Sequence, residues 1–154
     1  MWTLKICKDR HKFSSSHFTI FSEDSAEALH GHNYYVSLEV EGDSLNEQEL
    51  LIDVVSIKKA LSNVLESWDE KILLPKNSPH LILTESGASI NAKYSKREYS
   101  FPSAEVEILD VKNVTMESLA KLISDKLLNA LKPMSYKVSV RESQGQEASF
   151  YRKV

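Results

Sequence analysis

Residues 30 to 40, HGHNYYVSLEV, alternate with period two: Tyr34, Val36, Leu38 and Val40 share one side, and His30 and His32 lie on that same side. Side chains of a strand point alternately to its two faces, so the segment reads as a strand whose buried face begins with two imidazoles. Such a strand needs a layer to cover its apolar row, and the histidines need a partner of their own.

Two segments can supply the cover. From Asp53 to Trp68 the apolar residues Ile57, Leu61, Val64, Leu65 and Trp68 recur at helical spacing, with Lys58, Lys59, Ser62, Asn63 and Glu66 on the other side. A second helix runs from about Thr115 to Leu131, with Met116, Leu119, Ala120, Ile123, Leu127 and Leu131 inward, and stops before Pro133. Further strands are expected near residues 2 to 13 and 136 to 142, with others around 80 to 85, 88 to 94 and 105 to 109. The Ser86-Gly87 pair marks a hairpin turn between the helices. The order predicts an α+β layer fold, an antiparallel sheet with both helices on one face and a β-hairpin excursion between them.

At 154 residues the chain is expected to form a single domain, residues 1–154, with a core that needs no staples. A net charge of −3 with interspersed signs gives no footprint for nucleic acid or an anionic membrane. The single cysteine, Cys7, excludes an internal disulfide framework and fits a reducing compartment. No apolar run reaches the length of a membrane span, and the N-terminus lacks a signal-peptide core, so the expectation is a soluble, cytoplasmic protein.

A catalytic zinc is held by three protein ligands with a fourth position open to water or substrate. His30 and His32 supply two from one strand face. The natural third is His17, in KFSSSHF, because an adjacent antiparallel strand can carry it to the same face. The other reading is a pair of hydrogen-bonded strand histidines. Gly31 between them favours a close approach by a ligand or another backbone. His11 and His80, in polar surroundings, read as surface residues.

Phe13 to His17 as F-x-x-x-H, His30 to Tyr34 as HGHNY, an Ile-Asp pair at the first helix, and a late Thr-x-Glu and Arg-Glu-Ser occur together. In this combination the chain resembles the 6-pyruvoyltetrahydropterin synthase and 6-carboxytetrahydropterin synthase family from Leu4 to Tyr151. The resemblance implies a tunnelling fold, in which a four-stranded antiparallel sheet carries two helices on one face, assembled as a homohexamer. It implies Zn2+ on His17, His30 and His32, and 7,8-dihydroneopterin triphosphate as the substrate class.

The resemblance also places a pterin anchor. Tyr136, Val138, Val140 and Glu142 share a strand face, and Glu142 matches the family glutamate whose carboxylate accepts two parallel hydrogen bonds from the amino-pyrimidine edge. Thr115 and Glu117 match a second pterin-contacting element, with Ser118 where the family carries Asn. An acidic first helical turn, favoured by the helix dipole, is the other reading of these two.

Two family features differ here. Ala26 occupies the position of the carboxy-type cysteine, and the proton-transferring Asp-His pair reads Asp69-Glu70. In its place Glu27 stands three residues before His30, a spacing similar to the branch that cleaves dihydroneopterin triphosphate to 6-hydroxymethyl-7,8-dihydropterin. A carboxylate can serve as base there if the site raises its pKa toward neutrality. The other reading of Glu27 is a solvated residue in the polar loop SEDSAEA. Two adjacent carboxylates at Asp69 and Glu70 repel, so one held protonated can donate; the other reading of Glu70 is an exposed helix-end charge. The expected activity is therefore a zinc-dependent lyase using Glu27, Asp69 and Glu70. Conventional 6-pyruvoyl or 6-carboxy synthase chemistry stands as the alternative, and a zinc- and pterin-binding protein without turnover as the alternative from another class.

Overall fold

The structure, a computed structural model, describes residues 1–132 and 134–153. In chain order the elements are β1 (Trp2–His17), β2 (His30–Gly42), α1 (Val54–Glu66), β3 (Lys71–Pro75), β4 (Leu81–Ser86), β5 (Ser89–Tyr94) and β6 (Arg97–Pro102). A short 3-10 turn (Ser103–Glu105) leads to β7 (Val106–Leu109), α2 (Met116–Leu131), β8 (Ser135–Ser143) and β9 (Gln146–Arg152).

The main sheet has six strands in the order β7-β3-β1-β2-β8-β9, and β4, β5 and β6 form a separate three-stranded sheet. This corrects the expectation of a four-stranded antiparallel sheet with a hairpin excursion. Strands β1, β2, β8 and β9 do pair antiparallel, but β3 and β7 extend the sheet in parallel beyond β1. The apolar run of β3 follows directly on the amphipathic helix, so its period is lost in the sequence. Strand β9 lies at an edge with no fully buried residue, and its alternation runs only between half-buried and exposed positions, a weak signal in the sequence. The β4–β5 hairpin turns at Gly87, whose φ of 60° suits a residue without a Cβ, and β6 adds the third strand.

Strand β1 does not pair with β2 in one continuous register. Cys7 faces Ser37 and Lys12 faces Tyr35, so four residues of β1, Lys8 to His11, stand against Val36 alone. Such a bulge with an odd excess flips every following side chain to the other face. Before it the buried residue is Ile6; after it His11, Phe13, Ser15 and His17 are inward. That phase change brings His17 directly opposite His30 and Ser15 opposite His32.

It also buries His11, against the surface position expected from its polar neighbours. The residue is 1% exposed and neither ring nitrogen has a hydrogen-bond partner among the described residues. Burial pushes its pKa down, and the nearby charges of Arg10, Lys8 and Lys58 push the same way. His80 is exposed, as expected.

Both helices cover one face of the main sheet. Helix α1 starts at Asp53, whose carboxylate accepts from Val55 N and Ser56 N at 3.0 and 3.3 Å. It buries Ile57, Leu61 and Leu65, and Trp68 is fully enclosed just beyond its end. Helix α2 buries Leu119, Ala120, Ile123, Leu127 and Leu131 against Val36, Leu38, Val40, Tyr136 and Val138. It ends at Leu131, before Pro133, which lies outside the described residues. A second cluster, Phe18, Ile20, Leu74, Leu81, Ile90, Ala92 and Tyr94, joins the three-stranded sheet to the segment following β1. Among the described residues no helix is long and apolar enough to cross a membrane.

Leu61→Ala, at a fully buried position, is expected to cost about 2–5 kcal/mol of stability in denaturant melts. For His11, whose folded pKa lies below its unfolded value near 6.5, the unfolded chain binds more protons, so stability falls as pH drops through about 6.5 toward the folded pKa. His11→Leu should flatten that part of the stability–pH curve relative to the parent protein; an unchanged slope would show that the histidine is not buried neutral.

Candidate metal centre and active site

The bulge and the antiparallel register of β1 and β2 bring three imidazoles together. Ring centroids are 4.8 Å apart for His17 and His30, 5.3 Å for His17 and His32, and 4.6 Å for His30 and His32. One nitrogen from each lies within 4.8 Å of the others. His17 is 2% exposed, so its environment is set wholly by the protein.

Two of the other ring nitrogens are spoken for. Nδ1 of His17 lies 2.9 Å from the carbonyl of Val114, just before α2, and Nδ1 of His30 lies 2.7 Å from the carbonyl of Ala28. A carbonyl accepts, so each Nδ1 carries the proton and each Nε2 presents its lone pair. The Nε2 of His17 is buried without a hydrogen-bond partner among the described residues. Burial holds the His17 pKa below its ordinary value, with the Val114 carbonyl opposing and the two other imidazoles adding to the shift. A buried His17 held toward its neutral form, its Nε2 without a partner among the described residues, and two further imidazoles beside it make a donor set that a metal ion accepts, so the residues present fit one.

Two carboxylates border the trio. Oε2 of Glu142, at the end of β8, lies 3.8 Å from Nε2 of His32. Glu27 is half-buried, and its Oε2 accepts from Thr19 N at 2.9 Å while its own N–H donates to the Thr19 carbonyl at 2.9 Å. Burial pushes the Glu27 carboxyl up, but the Thr19 hydrogen bonds and the charges of His30 and His17 outweigh it, and its pKa ends below the ordinary value. The condition of a carboxyl raised toward neutrality is thus not met without bound substrate or metal, because the protein bonds the ionised form. Beside the trio lies Tyr34, whose ring is 5.9 Å from His17 and 5.6 Å from His32. Its buried hydroxyl has no partner among the described residues, and burial, Glu142 and Glu27 all push its pKa far up.

Asp69 and Glu70 sit where α1 returns to the sheet. The Asp69 carboxylate accepts from Ser14 N at 2.7 Å, and Glu70 donates its own N–H to the Ser14 carbonyl at 2.7 Å. Glu70 takes a left-handed φ of 57° and lines, with Ser14, Ser16, Gly31, His32 and Asn33, an open cleft of about 540 Å³. A Cβ at Gly31 would meet Ser16 Oγ at 3.4 Å and the Ser15 carbonyl at 3.5 Å, ordinary contacts, so the neighbouring strand does not demand glycine there.

Thr115 and Glu117 are not gathered with these groups. They line a different depression, of about 750 Å³, with Lys121 and Phe150. Thr115 caps α2, accepting from Ser118 N at 3.2 Å, while its own N–H donates to Ser118 Oγ at 3.0 Å. Ser118 therefore completes a capping box.

Residues 6–153 match the family described as 6-pyruvoyl tetrahydropterin synthase. The chain belongs to that family. A protein of Methanocaldococcus jannaschii described as a putative 6-carboxy-5,6,7,8-tetrahydropterin synthase is 31% identical over 148 residues, covering 92% of this chain and 90% of that one. Among solved structures, 6-pyruvoyltetrahydropterin synthase of Plasmodium vivax superposes with a TM-score of 0.93 at 26% identity, covering 99% of this chain and 98% of that one. A variant of the same Plasmodium protein, with a glutamate described as a catalytic residue changed to alanine, superposes at 0.91 with the same identity and coverage.

Membership in the synthase family leaves several residues of this site that no motif announced. The Val114 and Ala28 carbonyls and the Thr19 peptide act through main-chain atoms, which any residue type supplies. Tyr34 was visible as the last letter of HGHNY, but its link to both carboxylates needed the fold. Equilibrium dialysis is expected to load one divalent metal ion per chain, and His17→Ala to weaken that binding by more than about a hundredfold; binding unaffected by the substitution would remove His17 from the centre.

Proposed function

We propose that this synthase-family chain is a zinc-dependent lyase that cleaves 7,8-dihydroneopterin triphosphate to 6-hydroxymethyl-7,8-dihydropterin. The observation that carries the reading is Glu27: one residue after Ala26, which stands where the carboxy-type enzymes carry a cysteine, this chain has a carboxylate within the field of His30 and His17. The catalytic glutamate of the Plasmodium vivax synthase, 26% identical over nearly the whole chain, supports the same assignment.

His17, His30 and His32 would hold the zinc, and Glu142 would bind the amino-pyrimidine edge of the pterin through paired hydrogen bonds. When bound, zinc supplies Lewis acidity that lowers the pKa of a substrate side-chain hydroxyl. Glu27 takes that hydroxyl proton. The bond from the resulting alkoxide carbon to its neighbour next to the ring then breaks, and its electron pair enters the pterin ring. Returning the proton to the ring-side carbon gives the hydroxymethyl product, with an aldehyde bearing the triphosphate as the second product. Glu70, which lines a cleft with His32, would relay that proton from Glu27 to the ring-side carbon, and Asp69 fixes the turn through Ser14.

A second reading, 6-carboxytetrahydropterin synthase, is favoured by the description of the Methanocaldococcus relative at 31% identity. The two give products of different mass. Incubating zinc-loaded protein with 7,8-dihydroneopterin triphosphate is expected to release 6-hydroxymethyl-7,8-dihydropterin, and Glu27→Gln to lower kcat by about a hundredfold or more. A 6-carboxy or 6-pyruvoyl product as the main species would overturn the lyase assignment.

A further inference from the structure

The segment joining β1 to β2, residues 18 to 29, carries Glu27 and has little regular structure of its own. Its anchoring comes from elsewhere in the chain. Phe18 and Ile20 are buried in the second apolar cluster, and the Asn113 amide brackets Ile20, accepting from its N–H at 3.1 Å and donating to its carbonyl at 2.9 Å. The Tyr94 hydroxyl, from the three-stranded sheet, donates to the Ser22 carbonyl at 2.9 Å.

Arg97, the first residue of β6, reaches the catalytic position most directly. Its Nη1 donates to the Glu27 carbonyl at 2.5 Å and its Nη2 to the Ala26 carbonyl at 3.1 Å. These carbonyls belong to the two peptide planes on either side of the Glu27 α-carbon. The guanidinium lies 5.6 Å over the Tyr94 ring, which holds the fork in place, and Arg97 and Tyr94 face each other across the β5–β6 turn.

We propose that Arg97 is a positioning residue for the Glu27 base, and that the three-stranded sheet serves this site by presenting it. The inference rests on Glu27 acting as the base. Arg97 fixes both peptide planes while Thr19 fixes the Glu27 amide and one carboxylate oxygen, so the carboxylate has one orientation and Oε1 remains for the substrate. A rigid planar fork is needed to reach two successive carbonyls; a lysine ammonium is a point donor and cannot span them in one geometry.

The test is a double-mutant cycle on zinc-loaded protein, following kcat, KM, metal content and product. Glu27→Gln establishes the contribution of the base. Arg97→Ala is expected to lower kcat about tenfold or more, as small misplacements of reacting groups do, with KM changed less than about twofold and one metal per chain retained. Arg97→Lys should fall between Arg97→Ala and the parent. In the Glu27→Gln background Arg97→Ala should cost nothing further, because there is no base left to position.

An equal loss in both backgrounds, a loss of metal, or a kcat unchanged by Arg97→Ala while Glu27→Gln is slow would each overturn the role of Arg97. Full turnover by Glu27→Gln would instead overturn the base assignment on which the inference stands, so the two failures are told apart.

Discussion

The bulge in β1 is the constraint on which the site depends. A strand that buries Ile6 and continues with period two would turn His17 away from His30 and His32. Placing Lys8 to His11 against Val36 alone changes the phase, and only then do Phe13, Ser15 and His17 face the same layer as the even-numbered residues of β2. Phe13 stacks on Tyr34 at 4.9 Å and meets Trp68 edge-on at 5.5 Å, so the core and the imidazole trio share one alignment. The shift also buries His11 without partners, and an unpaired buried polar group costs about 1–3 kcal/mol. A defect of that size in the core is offset by the packing the new phase allows, and it marks the place where the strand serves the site before its own stability.

Holding the ligands in orientation falls to the start of α2. The carbonyl of Val114 sets the tautomer of His17, and the next residue, Thr115, is the helix cap locked to Ser118 by three hydrogen bonds. Asn113, one residue earlier, grips Ile20 on the segment that carries Glu27. Three successive residues thus tie together the helix, the buried imidazole and the segment that carries Glu27. The position of α2 in turn follows from its apolar face on β8 and β9, so burial of Leu119, Ile123 and Leu127 is coupled to the geometry of nitrogens elsewhere on the sheet.

Much of this was legible in the sequence for a physical reason. The alternation of residues 30 to 40 and the helical spacing of both amphipathic segments record which faces are buried, and burial is what the fold enforces. The trio of histidines followed, because two lay on one strand face and the third could arrive from a neighbour. The rest was not legible where the structure works through main-chain atoms or at sheet edges. Strands β3 and β7 add at an edge by backbone pairing, which no side-chain pattern reports. Arg97 binds two carbonyls, so nothing about residues 26 and 27 signals it. Thr115 and Glu117 matched a motif, yet within this chain they serve a cleft apart from the trio, and the Thr115 side chain is engaged in its cap. His11 was misplaced because its charged neighbours, Arg10 and Lys12, look outward while the bulge turns it inward.

The depressed pKa of Glu27 bears on which chemistry the proposed base can perform. A carboxylate bonded by Thr19 and facing imidazoles is held below its ordinary pKa, so under the proposed reading it enters the reaction ionised. Its drive to take a proton is correspondingly small, since a base gains less as its pKa falls below that of the acid it attacks. Forming a 6-pyruvoyl product requires a proton to leave carbon, a poor acid, and a weak carboxylate is ill suited to that step. Cleaving the bond between two side-chain carbons requires a proton to leave only a hydroxyl, the group whose acidity a bound metal raises most. Under the proposed reading, a glutamate held low by Thr19 and the imidazoles therefore suits abstraction of a hydroxyl proton, and with it carbon–carbon cleavage, better than abstraction of a proton from carbon.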